Sequence, residues 1–138
     1  MENTNFSPDV LDRHNDSESR FSVLPSCEKP RQLLRLVAAI VTQVFMVRRA
    51  DLLAPSRGVA SVALARQVAM YLAHVDCGVR LSEVGRGFGR DRTTVAHACI
   101  VVENRRDDPS FDMTLELLAG ILARMRDICF PRHSGQVC

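Results

Sequence analysis

The sequence predicts an all-α fold, a compact bundle of about five helices in a single domain. The chain is 46% hydrophobic but only 5% aromatic, with no Trp, so aliphatic residues that suit helices must form its core. Apolar residues recur every three or four positions in several stretches, and no stretch alternates as a half-buried strand does. Its length of 138 residues is that of one domain.

The domain boundaries follow from composition. Residues 1–30 are polar and lack a hydrophobic period, so we expect a disordered or loosely attached arm. The domain itself is expected to span 31–128, and residues 129–138 are expected to form a loose tail. The first helix is predicted from Leu33 to Val47, where apolar residues follow a helical period.

The second helix is predicted from about Ser61, its expected N-cap, to Val75. Proline, serine and glycine between Ala54 and Gly58 indicate a loop before it. Asp76, Cys77 and Gly78 are expected to end this helix.

Two closely spaced helices come next. The third is predicted over 81–88, and Gly89 after it suits the left-handed turn that ends a helix. The fourth, from Arg92 to about Arg106, has Asp91 as its N-cap. A break at Asp107-Asp108-Pro109 precedes a fifth helix, which is patterned from Met113 to Arg124.

Several classes of function are disfavoured by composition. Lys29, the only lysine, is followed by proline, so no P-loop is present and we expect neither ATP nor another cofactor. The five cysteines form no C-x-x-C pair, so we expect no metal site. We expect no enzyme either, because the available cysteine and histidine neighbours have no orienting acid: Cys77, Cys99, His74 and His97. The polar N-terminus and the absence of a long apolar run indicate a cytoplasmic protein.

Charge is unevenly distributed along the chain. Residues 31–106 carry twelve arginines against five acidic residues, a net charge of +7, whereas 1–30 carry −3 and 107–138 carry −2. A basic middle between acidic ends is typical of a polyanion-binding face. Ordinary surface solvation explains the same distribution equally well.

Residues 81–105 have the arrangement of a helix-turn-helix, a short helix, a glycine turn and a longer helix. The first turns of the second helix in such a motif enter the major groove of DNA. Arginine there suits guanine, aspartate accepts from cytosine, and a threonine methyl contacts thymine; this chain has Arg90, Asp91, Arg92, Thr93 and Thr94. The alternative is an ordinary corner between two helices of a bundle.

Four blocks between Ala50 and Arg106 closely resemble the C-terminal DNA-binding domain of the bacterial replication initiator DnaA. In order, they are Ala50-Asp51-Leu52-Leu53, Ala65-Arg66-Gln67-Val68-Ala69-Met70-Tyr71-Leu72-Ala73, Leu81-Ser82-Glu83-Val84-Gly85 and Phe88-Gly89-Arg90-Asp91-Arg92-Thr93-Thr94-Val95-Ala96-His97-Ala98. Weaker similarity extends from about Arg31 to about Arg126. The resemblance implies a TrpR-like helix-turn-helix fold that docks into the major groove of double-stranded DnaA-box-type sites.

The resemblance also implies individual DNA contacts. Arg66 matches an arginine that this family inserts into the minor groove from a basic loop, and Arg57 is expected to assist it. Base-reading positions are matched by Asp91, Arg92, Thr93 and Ala96, and phosphate-contacting positions by Thr94 and His97. Ser82 and Arg90 complete the expected DNA-binding set. The alternatives are a surface helix residue for Arg66 and a half-buried histidine for His97.

The chain departs from the family pattern at several positions. Gly89 stands alone where two glycines are usual, Arg92 replaces a histidine, and Ile100 and Val101 stand where two basic residues are common. We therefore expect a changed target site, weaker phosphate affinity and two exposed apolar side chains beside the DNA. We also expect the AAA+ ATPase of the initiator to be missing, so that the domain stands alone.

The leading hypothesis is a stand-alone, nucleoid-associated regulator of transcription or of replication initiation. The alternative is a protein-interaction module derived from the same domain, with weak or no DNA binding, in which Ile100 and Val101 form an apolar contact surface. A homodimer, or a complex with a replication or transcription protein, stays open, because the fifth helix suits packing and pairing equally.

Overall fold

The computed structural model describes residues 28–131, and within that range it confirms the all-α prediction. There is no strand there, and a π-helical segment, Leu72–Asp76, continues the third helix. The helices are α1 (Glu28–Phe45), α2 (Arg49–Leu52), α3 (Ala60–Tyr71), α4 (Leu81–Phe88), α5 (Arg92–Arg105) and α6 (Pro109–Cys129). Of the predicted arm, 1–27 lie outside the described residues, as do 132–138 of the predicted tail.

The chain divides into two compact units between Gln32 and Leu33. Only the beginning of α1 lies in the described part of the first unit, and the other helices belong to the second. No helix within 28–131 is long and apolar enough to span a bilayer.

Helix α3 is the centre of the second unit. Its side chains are buried along most of its length, and it packs against α2, α4 and α5. The core around it is aliphatic, as the composition predicts, and its largest fully buried side chains are Leu52, Leu72, Leu118, Leu122, Val37, Val41, Val68, Val84, Val95 and Val102. Helices α4 and α5 therefore pack on a helix that is itself buried in the core.

The start of α3 differs from the prediction. The helix begins at Ala60 after Val59, whose side chain offers no cap, so the prediction that Ser61 is the N-cap was wrong. Gly58 turns the chain with a φ of 77°, and the extended Val59 that follows it takes the cap position. Ser61 is therefore the second residue of the helix.

Helix α6 is longer than its apolar pattern indicates, because its first turn is stabilised locally. Asp108 accepts a hydrogen bond from the backbone N–H of Ser110 at 3.1 Å, and Pro109 occupies the first helical position, which favours proline. Arg106 holds the helix to the core by pairing with Asp112 at 2.6 Å and by donating to the hydroxyl of Tyr71 at 3.2 Å.

Candidate nucleic-acid interface

The first turns of α5 present a row of accessible side chains. Arg92, Thr93, Thr94 and His97 are exposed and Ala96 is half-buried. On the opposite side of the same helix, Val95, Ala98 and Val102 are buried in the core. The predicted half-buried alternative for His97 was therefore wrong.

Asp91 caps α5 as predicted. Its Oδ1 accepts a hydrogen bond from the backbone N–H of Thr94 at 2.8 Å, and this bond holds the pKa of the Asp91 carboxyl below its usual range. A hydrogen bond from the Thr94 side chain lowers the pKa of this carboxyl further. Asp91 is itself exposed at the start of α5.

The turn between α4 and α5 is tight. Gly89 adopts the predicted left-handed conformation with a φ of 67°. Behind it, the backbone N–H of Arg90 donates to the carbonyl of Gly85 at 2.8 Å. A side chain at Gly85 would clash with the carbonyl oxygen of Arg90, so only glycine allows this approach. Sequence reasoning missed Gly85, although its place in a block shared with the DnaA domain was a signal.

Arg90 does not lie on the exposed face of α5. Its Nη1 donates to the carbonyl of Phe88 at 3.1 Å and its Nη2 to that of Ala54 at 3.0 Å. The prediction of Arg90 as a DNA contact does not agree with this placement, because its guanidinium is engaged by protein carbonyls. It ties the helix-turn-helix to the loop between α2 and α3.

Arg66 is also placed differently from its prediction, since only 4% of its surface is exposed. Its guanidinium donates to the carbonyls of Leu52 and Asp51, both at 2.7 Å, and of Arg57 at 3.0 Å. Burial lowers the pKa of Arg66, and the charge of Arg90 adds to this effect. In this conformation Arg66 is neither a groove-inserting residue nor the surface residue of the alternative. Sequence spacing gave no sign that three carbonyls converge on it.

Arg57 is the exposed arginine of the predicted loop. It lines an open cleft of about 600 Å³ together with Ser61, Gln67 and Arg105. Arg105, at the end of α5, lies over the ring of Phe111 at 5.4 Å and was not predicted as a site residue. Two arginines, Arg57 and Arg105, therefore line the cleft.

The remaining predicted positions are divided between surface and core. Ser82 is exposed in the first turn of α4. Ile100 is 58% exposed, which agrees with the expectation of an exposed apolar residue on this helix. It lies beside the exposed polar residues of α5, which we call the polar row: Arg92, Thr93, Thr94 and His97. Val101 is half-buried, so the prediction of two exposed apolar side chains was wrong for this residue.

Cys77 and Cys99, which lie near histidines in the sequence, are half-buried free thiols. Burial raises the pKa of Cys77 and of Cys99, which disfavours the nucleophilic thiolate. The Nδ1 of His74 lies 2.8 Å from the carbonyl of Val79. No group of three or more potential metal ligands occurs within the part of the chain that the structure describes.

Two helices joined by a left-handed glycine turn, with exposed polar residues at the start of the second, define a helix-turn-helix DNA-binding domain. The chain belongs to the bacterial DnaA helix-turn-helix family, whose family model matches residues 34–102. The resemblance found in the four sequence blocks is thereby confirmed. This family corresponds to the DNA-binding part of DnaA, and not to its ATPase part.

Individual relatives agree with this assignment. The chromosomal replication initiator protein DnaA of Symbiobacterium thermophilum is 35% identical over 106 residues, which are 75% of this chain and 22% of that protein. The DnaA of Rhodopseudomonas palustris is 44% identical over 89 residues, or 64% of this chain and 18% of that protein. This chain thus spans about a fifth of the length of these curated relatives.

A solved structure is similar as well. It is the replication initiator DnaA bound to AMPPCP and single-stranded DNA, with a TM-score of 0.56 and 27% sequence identity. The match covers 85% of this chain and 36% of that chain.

Proposed function

We propose that this chain binds double-stranded DNA sequence-specifically, at sites of the DnaA-box type, by placing the start of α5 in the major groove. The observation that carries the proposal is the exposed row of Arg92, Thr93 and His97 on a helix whose other side is anchored in the core. Arg92 is suited to guanine and the methyl group of Thr93 to thymine. Thr94 and His97 supply phosphate contacts, which fix the helix on the duplex.

Arg57 takes the minor-groove role in this proposal. It is exposed, and Arg66 and Arg90 bind the carbonyls of its loop, which limits the loop's freedom. A narrow minor groove attracts arginine by its negative potential. Arg105 lines the same cleft as Arg57, and in this proposal it binds a phosphate of the same duplex.

Occupation of such sites is proposed to regulate replication initiation or transcription. The proposal places the protein in the cytoplasm, at the nucleoid, and requires neither a cofactor nor a chemical step. Because Arg92 stands where the family has a histidine, the preferred site differs from the DnaA box at the base that Arg92 contacts.

A second candidate function is a protein-interaction module with weak or no DNA binding. The exposed side chain of Ile100 favours it, because it lies two helical turns after Arg92, beside the polar row of α5. An apolar residue at this place contributes nothing to phosphate affinity and suits a protein contact.

Fluorescence anisotropy with a labelled DnaA-box duplex and a scrambled duplex separates the two functions. Titrations between about 50 and 200 mM salt should show tighter binding to the box and a loss of affinity as salt rises. Equal affinity for both duplexes would contradict sequence-specific binding. No binding to either duplex at low salt would support the interaction module instead.

A further inference from the structure

Arg90 connects the turn of the helix-turn-helix to the loop between α2 and α3. Its backbone N–H donates to the carbonyl of Gly85 at 2.8 Å, which holds its main chain in the turn. Its guanidinium donates from Nη1 to the carbonyl of Phe88 at 3.1 Å and from Nη2 to that of Ala54 at 3.0 Å. One half-buried residue therefore joins the start of α5 to a loop that lies thirty-six positions earlier in the chain.

The two groove contacts of the proposed function lie close along the chain to the two ends of this connection. Arg57 follows Ala54 by three positions, and Arg92 follows Arg90 by two. The residue between Arg90 and Arg92 is Asp91, the N-cap that begins α5. Both Arg57 and Arg92 are exposed. A change at Arg90 can thus alter the position of one contact relative to the other.

We propose that Arg90 is a positioning residue, which fixes the distance between the minor-groove and the major-groove contact and so selects DNA sites by their spacing. The inference rests on the proposed function, in which Arg57 and the start of α5 bind two grooves of one duplex. Arg90 itself touches no base in it. It acts through the carbonyl of Ala54, and it determines the spacing of the site rather than the identity of a base.

The same loop is also held from α3. Arg66 donates to the carbonyl of Arg57 at 3.0 Å and to that of Leu52 at 2.7 Å. Pro55 lies between the two bonded carbonyls of Ala54 and Arg57, and its ring restricts the backbone there. Arg66 therefore sets the loop on α3, whereas Arg90 sets it on the helix-turn-helix.

Arg66 and Arg90 are two cations that approach one loop. Burial lowers the pKa of Arg66, and the charge of Arg90 lowers it further, so the two guanidiniums repel each other. Stability alone does not favour a second arginine beside a buried one. The planar fork of a guanidinium can, however, donate to two carbonyls at fixed angles, which an ammonium cannot. The need for a fixed loop position thus gives Arg90 a physical purpose.

An insertion scan of the DNA site tests this role with the full chain. One base pair is added at each successive step of a DnaA-box duplex, and fluorescence anisotropy measures the affinity for each duplex. An added pair moves one groove by about 3.4 Å and turns it by about 35° relative to the other. Insertions between the two contacts should lower the affinity of the parent about tenfold or more, as for the loss of a base contact.

The steps between the contacts are identified by Arg57→Ala. This variant lacks the minor-groove contact, so an insertion there should weaken the parent and leave the variant unchanged. Arg90→Met removes both guanidinium bonds but keeps an apolar side chain of similar length. It should bind the original duplex more weakly than the parent does, and insertions at these steps should change its affinity by less than about threefold, because the released loop can follow the displaced groove.

Two further variants complete the test. Arg90→Lys keeps the charge without the fork, so it should lose the same discrimination, and it gives the result if urea unfolding shows that Arg90→Met is not folded. Arg86→Met is the matched control, since Arg86 is an exposed arginine of α4 that pairs with Glu83 at 3.3 Å. Its insertion penalties should equal those of the parent.

Three outcomes would contradict the account, and they are distinguishable. Equal insertion penalties in the parent and in the folded Arg90 variants would overturn the positioning role, because a purely structural residue changes the affinity for every duplex by the same factor. A parent that prefers the box but tolerates every insertion would overturn it as well. A parent that binds box and scrambled duplexes equally would contradict the proposed function itself, and this inference with it.

Discussion

The guanidinium of Arg66 donates to the backbone carbonyl of Leu52 at 2.7 Å, although fourteen positions separate the two residues. Leu52 is the last residue of α2, where helix carbonyls lack donors within their own helix. By also binding Asp51 and Arg57, Arg66 joins the end of α2 to the loop that carries the exposed arginine. A residue that resembles a DNA contact by sequence is thus part of the interior that shapes the contact surface.

Replacement of Arg66 should lower stability. Arg66→Ala removes three charge-assisted hydrogen bonds and should reduce the free energy of unfolding in urea by about 2–4 kcal/mol. Arg66→Lys should recover only part of this, because an ammonium lacks the planar fork of a guanidinium. Arg57→Ala is the control and should change stability by at most about 0.5 kcal/mol. Equal destabilisation by Arg57→Ala and Arg66→Ala would contradict the structural role.

Replacement of Arg57 should lower the affinity for DNA, whereas replacement of Arg66 should lower the stability of the fold. Arg57→Ala should weaken binding to box and scrambled duplexes and should reduce the slope of log K against log salt by about one, as for a lost contact to DNA charge. Arg35→Ala, which removes an exposed arginine of α1, serves as the control. An unchanged slope in the Arg57 variant would exclude Arg57 from the interface.

Asp91 should stabilise α5 in a pH-dependent manner. Because its folded pKa is lowered, the contribution is complete above the unfolded value of about 3.9 and is lost as pH falls through the folded pKa. Asp91→Ala should remove this acid dependence and lower the midpoint of thermal unfolding at neutral pH. Asp91→Asn retains a side-chain oxygen as the cap, so it should keep most of the stability at neutral pH while losing the acid dependence. If the stability of Asp91→Ala and of the parent fell identically with decreasing pH, the capping role of Asp91 would be contradicted.

Gly85→Ala should disturb the helix-turn-helix turn. The added methyl group meets the backbone of Arg90, which cannot move without displacing the start of α5, so we expect a loss of about 1–3 kcal/mol. Gly87→Ala, two positions later in the same helix, meets only the flexible end of the Leu34 side chain and should cost less. Urea unfolding of both variants measures the difference, and a larger cost for Gly87→Ala would contradict this account.

Local signals made much of the fold predictable. The bounds of α4, the left-handed Gly89 and the cap at Asp91 each depend on residues within four positions of one another, so the sequence pattern was sufficient. The exposed face of α5 followed in the same way from helical periodicity, with Val101 as the exception.

Long-range contacts were not predictable in this way. The carbonyl partners of Arg66 lie nine to fifteen positions away and the Ala54 partner of Arg90 lies thirty-six positions away, so neither spacing nor composition indicates them. Likewise, the apolar pattern of α6 predicts a helix but does not distinguish the face that packs on the core from the face that stays exposed.

The central claim is that α5 recognises bases through Arg92, and selection from a randomised duplex pool tests it most directly. The parent chain should enrich a single motif related to the DnaA box, and Arg92→His should change the preferred base at one position, because a mismatched contact costs about 1–3 kcal/mol. Asp91→Asn and Arg57→Ala, selected in parallel, should leave the base at that position unchanged. Enrichment of the same motif by the parent and by Arg92→His, or of no motif by the parent, would contradict the claim.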